Sequence, residues 1–295
     1  MRTIILALIL CFAIRPSFGQ NNFESDPIKA RFITHDISNF WKAFDQLGSS
    51  GNPFRDYLKI GSVGLKDFIP YRIENPRNLK RTVEDRKSDY ERIRKESHKI
   101  AQSTDQIKEH YTTFKELYEE AIFPPTYFVI GAFNSGGTSS KNGLIIGVEM
   151  QSDIKNIPYI VSHELIHFNQ NYPSKEMTLL EQSIKEGSAD FIGKLISGKH
   201  INESAATYGN ANEEILCSEF IEIMDDNSYH GWLYGSKDKK EGRPNDLGYW
   251  IGYKICESYY IKASNKKQAI SDILKISDFK DFLIKSGYLA KYLNY

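Results

Sequence analysis

The pattern His-Glu-x-x-His occurs once in the 295-residue chain, inside the stretch Ile160–Gln170, and it constrains the fold more than any other feature. If this stretch is helical, His163 and His167 lie four positions apart on one face, so both imidazoles can reach one metal ion. Glu164 follows the first histidine and is placed to act as general base on a water bound at that metal. The apolar flanks predict that the opposite face is buried, and Pro158 suits a first helical turn.

A pattern this short also occurs by chance, and the alternative is a helix whose two histidines are only exposed or hydrogen-bonded. A second acidic pattern favours the metal site, because Glu186 follows His167 by 19 residues and Asp190 follows four residues later. Catalytic zinc sites use three protein ligands and one open position, and Glu186 supplies the third ligand if the chain returns as an antiparallel helix. Asp190 shares a face with Glu186 and can accept the outer N–H of a ligand histidine. For these two acids the alternative is an ordinary solvated helix face.

The HExxH motif followed by Glu186 and Asp190 resembles the gluzincin zinc metallopeptidases. The 18 residues between His167 and Glu186 are similar in number to those of the M1-type aminopeptidase branch. The segments Asn142–Met150 and Gly248–Tyr253 resemble a bacterial family of predicted zinc-dependent proteases of unknown function. This likeness covers roughly residues 121 to 262.

The resemblance implies an α+β, mainly helical fold: a zincin-like catalytic domain with a small sheet and two metal-bearing helices. It implies one zinc ion per chain, bound by His163, His167 and Glu186. It also assigns the general-base role to Glu164 and the support of a ligand histidine to Asp190. Since a site of two histidines and one glutamate accepts other metals, the residue types alone leave the metal open.

A hydrogen-bond donor that stabilises the oxyanion is also implied. Tyr249 is the first candidate, because it lies some 60 residues beyond Glu186, close to where the resembling gluzincins place their catalytic tyrosine. It falls on a predicted helix from Asp246 to about Ala263. His230 and Tyr253 are the next candidates, and Tyr253 is also a candidate substrate-binding residue. The alternative is that all three side chains only pack in the core.

Two strands are predicted before the metal-bearing helix, Tyr127–Ile130 and Leu144–Met150. In the resembling families the strand at the second position borders the cleft and holds the substrate backbone by strand addition. Glu149 on that strand is therefore a candidate for binding a substrate amine, although it lies closer to His163 in sequence than in the aminopeptidase branch. The Gly/Ser-rich segment Asn134–Ser140 matches no phosphate-binding pattern, and we interpret it as a flexible turn.

The first 19 residues are predicted to be a secretory signal peptide. Arg2 supplies the positive start, Ile4–Ile14 the apolar run, and Ser17–Gly19 the small-residue cleavage pattern. An uncleaved membrane anchor is the alternative, but the run is short for a membrane span. We therefore expect an exported protein, periplasmic or extracellular, without a stable membrane span once the signal is removed.

Residues 20–122 are predicted to form a mostly helical region that packs on a catalytic domain of residues 123–295. Lysine plus arginine and aspartate plus glutamate both total 38, so nothing points to nucleic acid as a partner. Cys217 and Cys256 remain after signal removal; they either form a disulfide or stay as buried free thiols.

These patterns together predict an exported zinc metallopeptidase that acts on peptide or protein substrates. One alternative is a catalytically silent, peptide-binding or chaperone-like envelope protein on a metallopeptidase scaffold. Another keeps the metal but hydrolyses a different bond. The oligomeric state and the choice between exo- and endopeptidase are not determined by the sequence.

Overall fold

The computed structural model describes residues 23–151, 153–173, 176–235 and 240–292, so the predicted signal peptide of residues 1–19 lies outside the described residues. Within these residues the chain forms thirteen α-helices and four β-strands, which confirms the predicted α+β, mainly helical fold. In chain order the elements are β1 Phe32–Ile33, α1 His35–Phe44, α2 Phe54–Ile60, α3 Val63–Phe68, α4 Pro76–Asp85, α5 Lys87–Ser97, α6 Thr104–Leu117, β2 Thr126–Val129, β3 Gly137–Ser140, β4 Gly143–Gly147, α7 Ile157–Asn169, α8 Leu179–Ser197, α9 Glu203–Ala211, α10 Glu213–Ile223, α11 Leu247–Lys262, α12 Lys266–Leu274 and α13 Phe279–Ser286.

The four strands form one sheet in the order β1-β2-β4-β3. β1, β2 and β4 run parallel, whereas β3 runs antiparallel to β4, with Gly137 opposite Ile146 and Ser140 opposite Gly143. The interpretation of residues 134–140 as a flexible turn was therefore wrong for the last four of them. Glycine and serine have low strand propensity, so pairing with the hydrophobic β4 decides this conformation rather than local preference.

The position of β4 also corrects the expectation that this strand holds the substrate backbone by strand addition. β4 lies between β2 and β3, so both of its edges are already paired, and the two unpaired edges of the sheet belong to β1 and β3. The predicted strand Leu144–Met150 ends early, because residues 148–150 turn into a short 3-10 helix. All five residues of β4 are buried, and α7 packs against both β3 and β4.

The N-terminal region is tied to the sheet by a strand and by two buried tyrosines. β1 pairs with β2. The Tyr57 hydroxyl donates to the carbonyl of Ile130 at 2.8 Å, and the Tyr90 hydroxyl donates to the carbonyl of Gly131 at 2.7 Å. The buried hydrophobic residues form one continuous core across residue 122. The division into two regions at that residue stays a prediction.

The two helices that follow the sheet begin with local signals. Pro158 lies in the first turn of α7, where its missing N–H is not needed. α8 begins with a capping box, in which the Thr178 hydroxyl accepts the backbone N–H of Glu181 and the Glu181 carboxylate accepts that of Thr178. Gly198 ends α8 with φ 77°, a left-handed conformation that glycine adopts without strain. These signals set the ends of α7 and α8, and the contacts of His163 with Asp190 and of His167 with Glu186 show that the two helices are antiparallel.

α11 crosses α8 at glycines, which lets the two backbones approach closely. An added Cβ at Gly187 would overlap the backbone of Tyr253, and one at Gly252 would overlap the carbonyl of Ser183. Gly193, also on α8, has more room, since its nearest neighbour is the His163 backbone at 3.7 Å. The crossing holds α8 against α11, which carries Tyr249.

Gly252→Ala is expected to destabilise the protein, because the helices must separate to admit the methyl group. Overpacking of this kind costs about 1–3 kcal/mol, so a lower melting temperature by circular dichroism is the expected result. Gly193→Ala is the matched control on α8, at a glycine that faces α7 instead of α11. It should be neutral or stabilising by up to about 1 kcal/mol through helix propensity. Equal melting temperatures for Gly252→Ala and the wild type would contradict this account of the crossing.

Cys217 and Cys256 are both buried free thiols, so the structure does not show a disulfide between them. None of the helices in the described ranges combines the length and the apolar character that crossing a membrane requires.

Candidate metal centre

α7 and α8 bring two histidines and a glutamate to one point. The Nε2 atoms of His163 and His167 lie 3.0 Å apart. Glu186 Oε2 lies 3.0 Å from His167 Nε2 and 3.6 Å from His163 Nε2. In the described part of the chain, this is the one group of three or more histidine, cysteine, aspartate or glutamate residues whose possible ligand atoms all lie within 4.8 Å of one another.

The spacing of these three atoms fits a zinc ion. Zinc bonds of about 2.0–2.1 Å in a tetrahedral site separate neighbouring ligand atoms by about 3.3 Å. The three observed separations, 3.0, 3.0 and 3.6 Å, bracket that value. Two imidazoles and one carboxylate are also a donor set that catalytic zinc sites use together with an open fourth position.

Hydrogen bonds at the other ring nitrogens orient both histidines. His163 Nδ1 lies 2.8 Å from Oδ1 of the buried Asp190, and His167 Nδ1 lies 2.9 Å from Oε1 of Gln170. Since carboxylate and amide oxygens only accept hydrogen bonds, both Nδ1 atoms donate. In the neutral imidazole this orientation leaves the Nε2 lone pair free toward Glu186, as metal binding requires.

Gln170 was missed by the sequence analysis. Its amide nitrogen donates to the carbonyl of Lys185 and to the hydroxyl of Ser188, both at 2.8 Å, which fixes Oε1 toward His167. The available signal was its position three residues after His167, one helical turn further along. Gln170 thus orients His167 by a hydrogen bond to Nδ1, as Asp190 orients His163.

Glu186 is held by two further side chains that the sequence analysis missed. The Tyr234 hydroxyl donates to Glu186 Oε1 at 2.8 Å, and the Gln182 amide donates to the same oxygen at 2.9 Å. Oε2 is thereby left to face the histidines. Gln182 lies one turn before Glu186 on α8, a helical spacing that could have indicated it. Tyr234 lies in the connection from α10 to α11 with φ 61°, where no periodic pattern marks it.

The electrostatics of the site favour a cation. Burial by itself would lower the pKa of His163, but hydrogen bonds to Asp190 and Glu186 raise that pKa well above its usual range. Burial would raise the pKa of Glu186, yet His167 and His163 hold it well below the ordinary value. The surrounding carboxylates stabilise positive charge at the point where the ligand atoms meet, which suits a divalent metal.

Glu164 lies beside this point, half-buried between α7 and the edge strand β3. A Cβ at Gly137 would overlap its carboxylate, so the glycine is what lets β3 approach so closely. Burial raises the pKa of Glu164, while the positive charges of His163, His167 and Arg72 oppose that rise. A carboxylate of raised pKa next to a metal site can accept a proton from water and return it.

The two tyrosine candidates, Tyr249 and Tyr253, have different surroundings. The Tyr249 ring is half-buried, 6.1 Å from the His163 ring and 6.4 Å from the Tyr234 ring. Tyr253, one turn further along α11, is 6% exposed. Its hydroxyl donates to Glu257 at 3.1 Å and accepts from Lys194 at 3.2 Å. The structure therefore brings Tyr249 to the metal ligands and directs Tyr253 elsewhere.

Two other candidates also have different surroundings from those expected. His230 is exposed and its Nε2 lies 2.8 Å from the Asp226 carboxylate, so the structure gives it no contact with the ligands. Glu149 is 1% exposed, and its Oε1 accepts the N–H of Phe133 at 3.3 Å. The 3-10 turn after β4 directs Glu149 into the interior, so a substrate amine does not reach it in this conformation. Burial raises the pKa of Glu149 to about 7.

The fold and the site together present two histidines and a glutamate that could hold a metal ion, the ligand types of zinc-dependent hydrolases. The family described as "Predicted Zn-dependent protease (DUF2268)" matches residues 129–281, just over half of the chain. The protein belongs to this family, and the matched segment contains all three ligand residues. No curated protein and no solved structure gives a significant match to the chain.

Proposed function

We propose that this protein is an exported zinc metallopeptidase of the gluzincin type, near the M1-type aminopeptidase branch, and that it hydrolyses peptide bonds. The proposal depends on one observation above all. His163, His167 and Glu186 converge on one point, and the neighbouring Glu164 lies against β3 at Gly137.

A zinc ion bound by these three residues would act as a Lewis acid that acidifies a water molecule and polarises the scissile carbonyl. Glu164 accepts the proton from the attacking water and then donates it to the leaving amine. Asp190 and Gln170 keep the two imidazoles in the donor orientation that the site needs. Burial raises the pKa of Glu164. The higher pKa helps the carboxylate to take the proton from water and to hold it until the amine leaves.

The substrate backbone is proposed to add as a further strand to β3. β3 is one of the two terminal strands of the sheet and the one that α7 packs against, so its outer edge can offer main-chain donors and acceptors to an extended peptide. Gly137 places this edge next to Glu164. A peptide bound along β3 therefore passes the general base.

Tyr249 is the proposed donor to the oxyanion of the tetrahedral intermediate. Its ring lies beside His163, and burial raises the pKa of its hydroxyl, which therefore stays protonated and able to donate. Tyr234 is already engaged with Glu186, so we assign it the positioning of that ligand.

Export to the periplasm or the extracellular space is part of the proposal. It is supported by the charged start, apolar run and small-residue cleavage pattern of residues 1–19 alone.

The test is hydrolysis of a diverse peptide mixture by the zinc-loaded protein without residues 1–19, followed by mass spectrometry. We expect new peptide termini, loss of cleavage after chelation, and recovery when zinc is restored. A fully zinc-loaded protein that binds peptides without cleaving any would favour the silent peptide-binding alternative. Cleavage of other bonds but not peptide bonds would favour a different hydrolase.

A further inference from the structure

The backbone at one arginine of the N-terminal region contacts the segment that leads into β3. Arg72 lies half-buried in the π-helical turn Ile69–Ile73 between α3 and α4. Its carbonyl oxygen accepts the side-chain N–H of Asn134 at 2.6 Å. Asn134 precedes Gly137 by three residues, and Gly137 is the position of β3 that lies against Glu164.

The same segment is also tied to the far end of β3. The carboxylate of Asp67 accepts the hydroxyl of Ser140 and the side-chain amide of Asn142, both at 2.7 Å. The segment from Asp67 to Arg72 is therefore fixed to both ends of the edge strand. Arg72 lies at the end where β3 starts.

The guanidinium of Arg72 has no carboxylate partner within the described ranges. Other arginines of the chain do: Arg94 pairs with Asp45 at 2.7 Å, and Arg243 pairs with Glu219 at 2.8 Å. A half-buried cation that lacks a partner is unfavourable, and a guanidinium offers five N–H donors. The charge of Arg72 also interacts with that of Glu164.

We propose that Arg72 binds a carboxylate of the peptide substrate at the end of the cleft where β3 begins. A guanidinium and a carboxylate match in a two-bond geometry, which gives both affinity and selectivity. A peptide that adds antiparallel to β3 has its C-terminal part beside the start of β3. The carboxylate is then either the peptide's own C-terminal group or an acidic side chain on the C-terminal side of the scissile bond.

This inference rests on the proposed function and deepens it by naming a substrate class. Arg72 lies outside the family segment of residues 129–281. The preference for a carboxylate is therefore supplied by the N-terminal region, which otherwise contributes β1 and part of the core.

The test compares three peptides of one sequence: a free-acid form, a C-terminally amidated form, and an amidated form with glutamate after the cleaved bond. Their binding to zinc-loaded Glu164→Gln protein is measured by fluorescence anisotropy, so turnover is not required. We expect at least one carboxylate-bearing peptide to bind about tenfold more tightly than the neutral one. Adding Arg72→Met should abolish that difference without weakening the neutral peptide, and Arg72→Lys should retain part of it.

Arg92→Met is the matched control, because it removes an exposed arginine that pairs with Asp89 at 3.7 Å on α5. It should leave the preference intact. Which peptide binds more tightly identifies the source of the carboxylate. Equal binding of all three peptides to the parent protein would overturn the inference, as would an equal loss for all three on Arg72→Met.

Cleavage by the otherwise wild-type enzyme separates the two proposals. If peptides are cleaved without regard to carboxylates, the peptidase proposal stands and the role of Arg72 fails. If no peptide is cleaved but the preference depends on Arg72, the binding site stands and the peptidase proposal fails. Circular dichroism of Arg72→Met checks that the fold is retained.

Discussion

Glu164→Gln is expected to lower kcat/KM for peptide hydrolysis by about 10²- to 10⁴-fold, the contribution typical of a general acid–base residue. The glutamine amide has nearly the same shape as the carboxylate but cannot accept the proton of the attacking water. Glu164 is not among the ligand atoms that converge on the metal position, so zinc content should stay at the wild-type level. Kinetic assays and elemental analysis of the same preparation measure both quantities.

Glu96→Gln is the control for this change. It makes the same substitution at an exposed residue that pairs with Lys99 at 2.8 Å, and activity should be normal. Wild-type turnover by Glu164→Gln would show that the mechanism is wrong. Loss of zinc from Glu164→Gln would instead show that this carboxylate helps to hold the metal.

His163→Ala should abolish zinc binding at micromolar free zinc. Removal of an outer residue that merely orients a ligand already weakens metal sites by about 10- to 100-fold, so loss of a direct ligand should cost more. Wild-type protein should contain about one zinc per chain, as three ligands with one open position imply. Metal binding also stabilises the fold, by about 2.7 kcal/mol when zinc is present at 100 times its Kd. Zinc should therefore raise the melting temperature of the wild type and leave that of His163→Ala unchanged.

The control for the second prediction is His98→Ala, at an exposed residue just after α5, which should retain zinc. Elemental analysis and thermal unfolding with and without zinc give the result. If the wild-type protein takes up no zinc even when zinc is in excess, the HExxH motif does not bind zinc in this protein. That outcome would favour the peptide-binding alternative.

Much of the ligand set could be predicted because it depends on short spacings. Four residues make one helical turn, so His163 and His167 share a face as soon as α7 forms. The 19 residues to Glu186 allow one turn and a returning helix, and α8 uses them in that way. Pro158 at the start of α7 and Gly198 at the end of α8 are local signals that mark these helices.

Other contacts could not be predicted, because they depend on where distant segments meet. Tyr234 reaches Glu186 from an irregular connection 48 residues further along, and nothing local marks that residue as part of the site. β3 has a composition typical of a turn and becomes a strand only because β4 pairs with it. Glu149 had the sequence position of a cleft residue, yet the backbone turn after β4 buries it.

The sequence by itself determined the ligand chemistry and the two helices that carry it, because helix geometry converts spacing into a shared face. Only the tertiary structure decided what surrounds these residues: β3 against Glu164, the tyrosine that holds Glu186, and the contact of the Arg72 backbone with the segment before β3. The physical reason is the range of the interactions. Hydrogen bonds within a helix follow from neighbouring residues, whereas sheet order and side-chain contacts between distant segments follow from how the whole core packs.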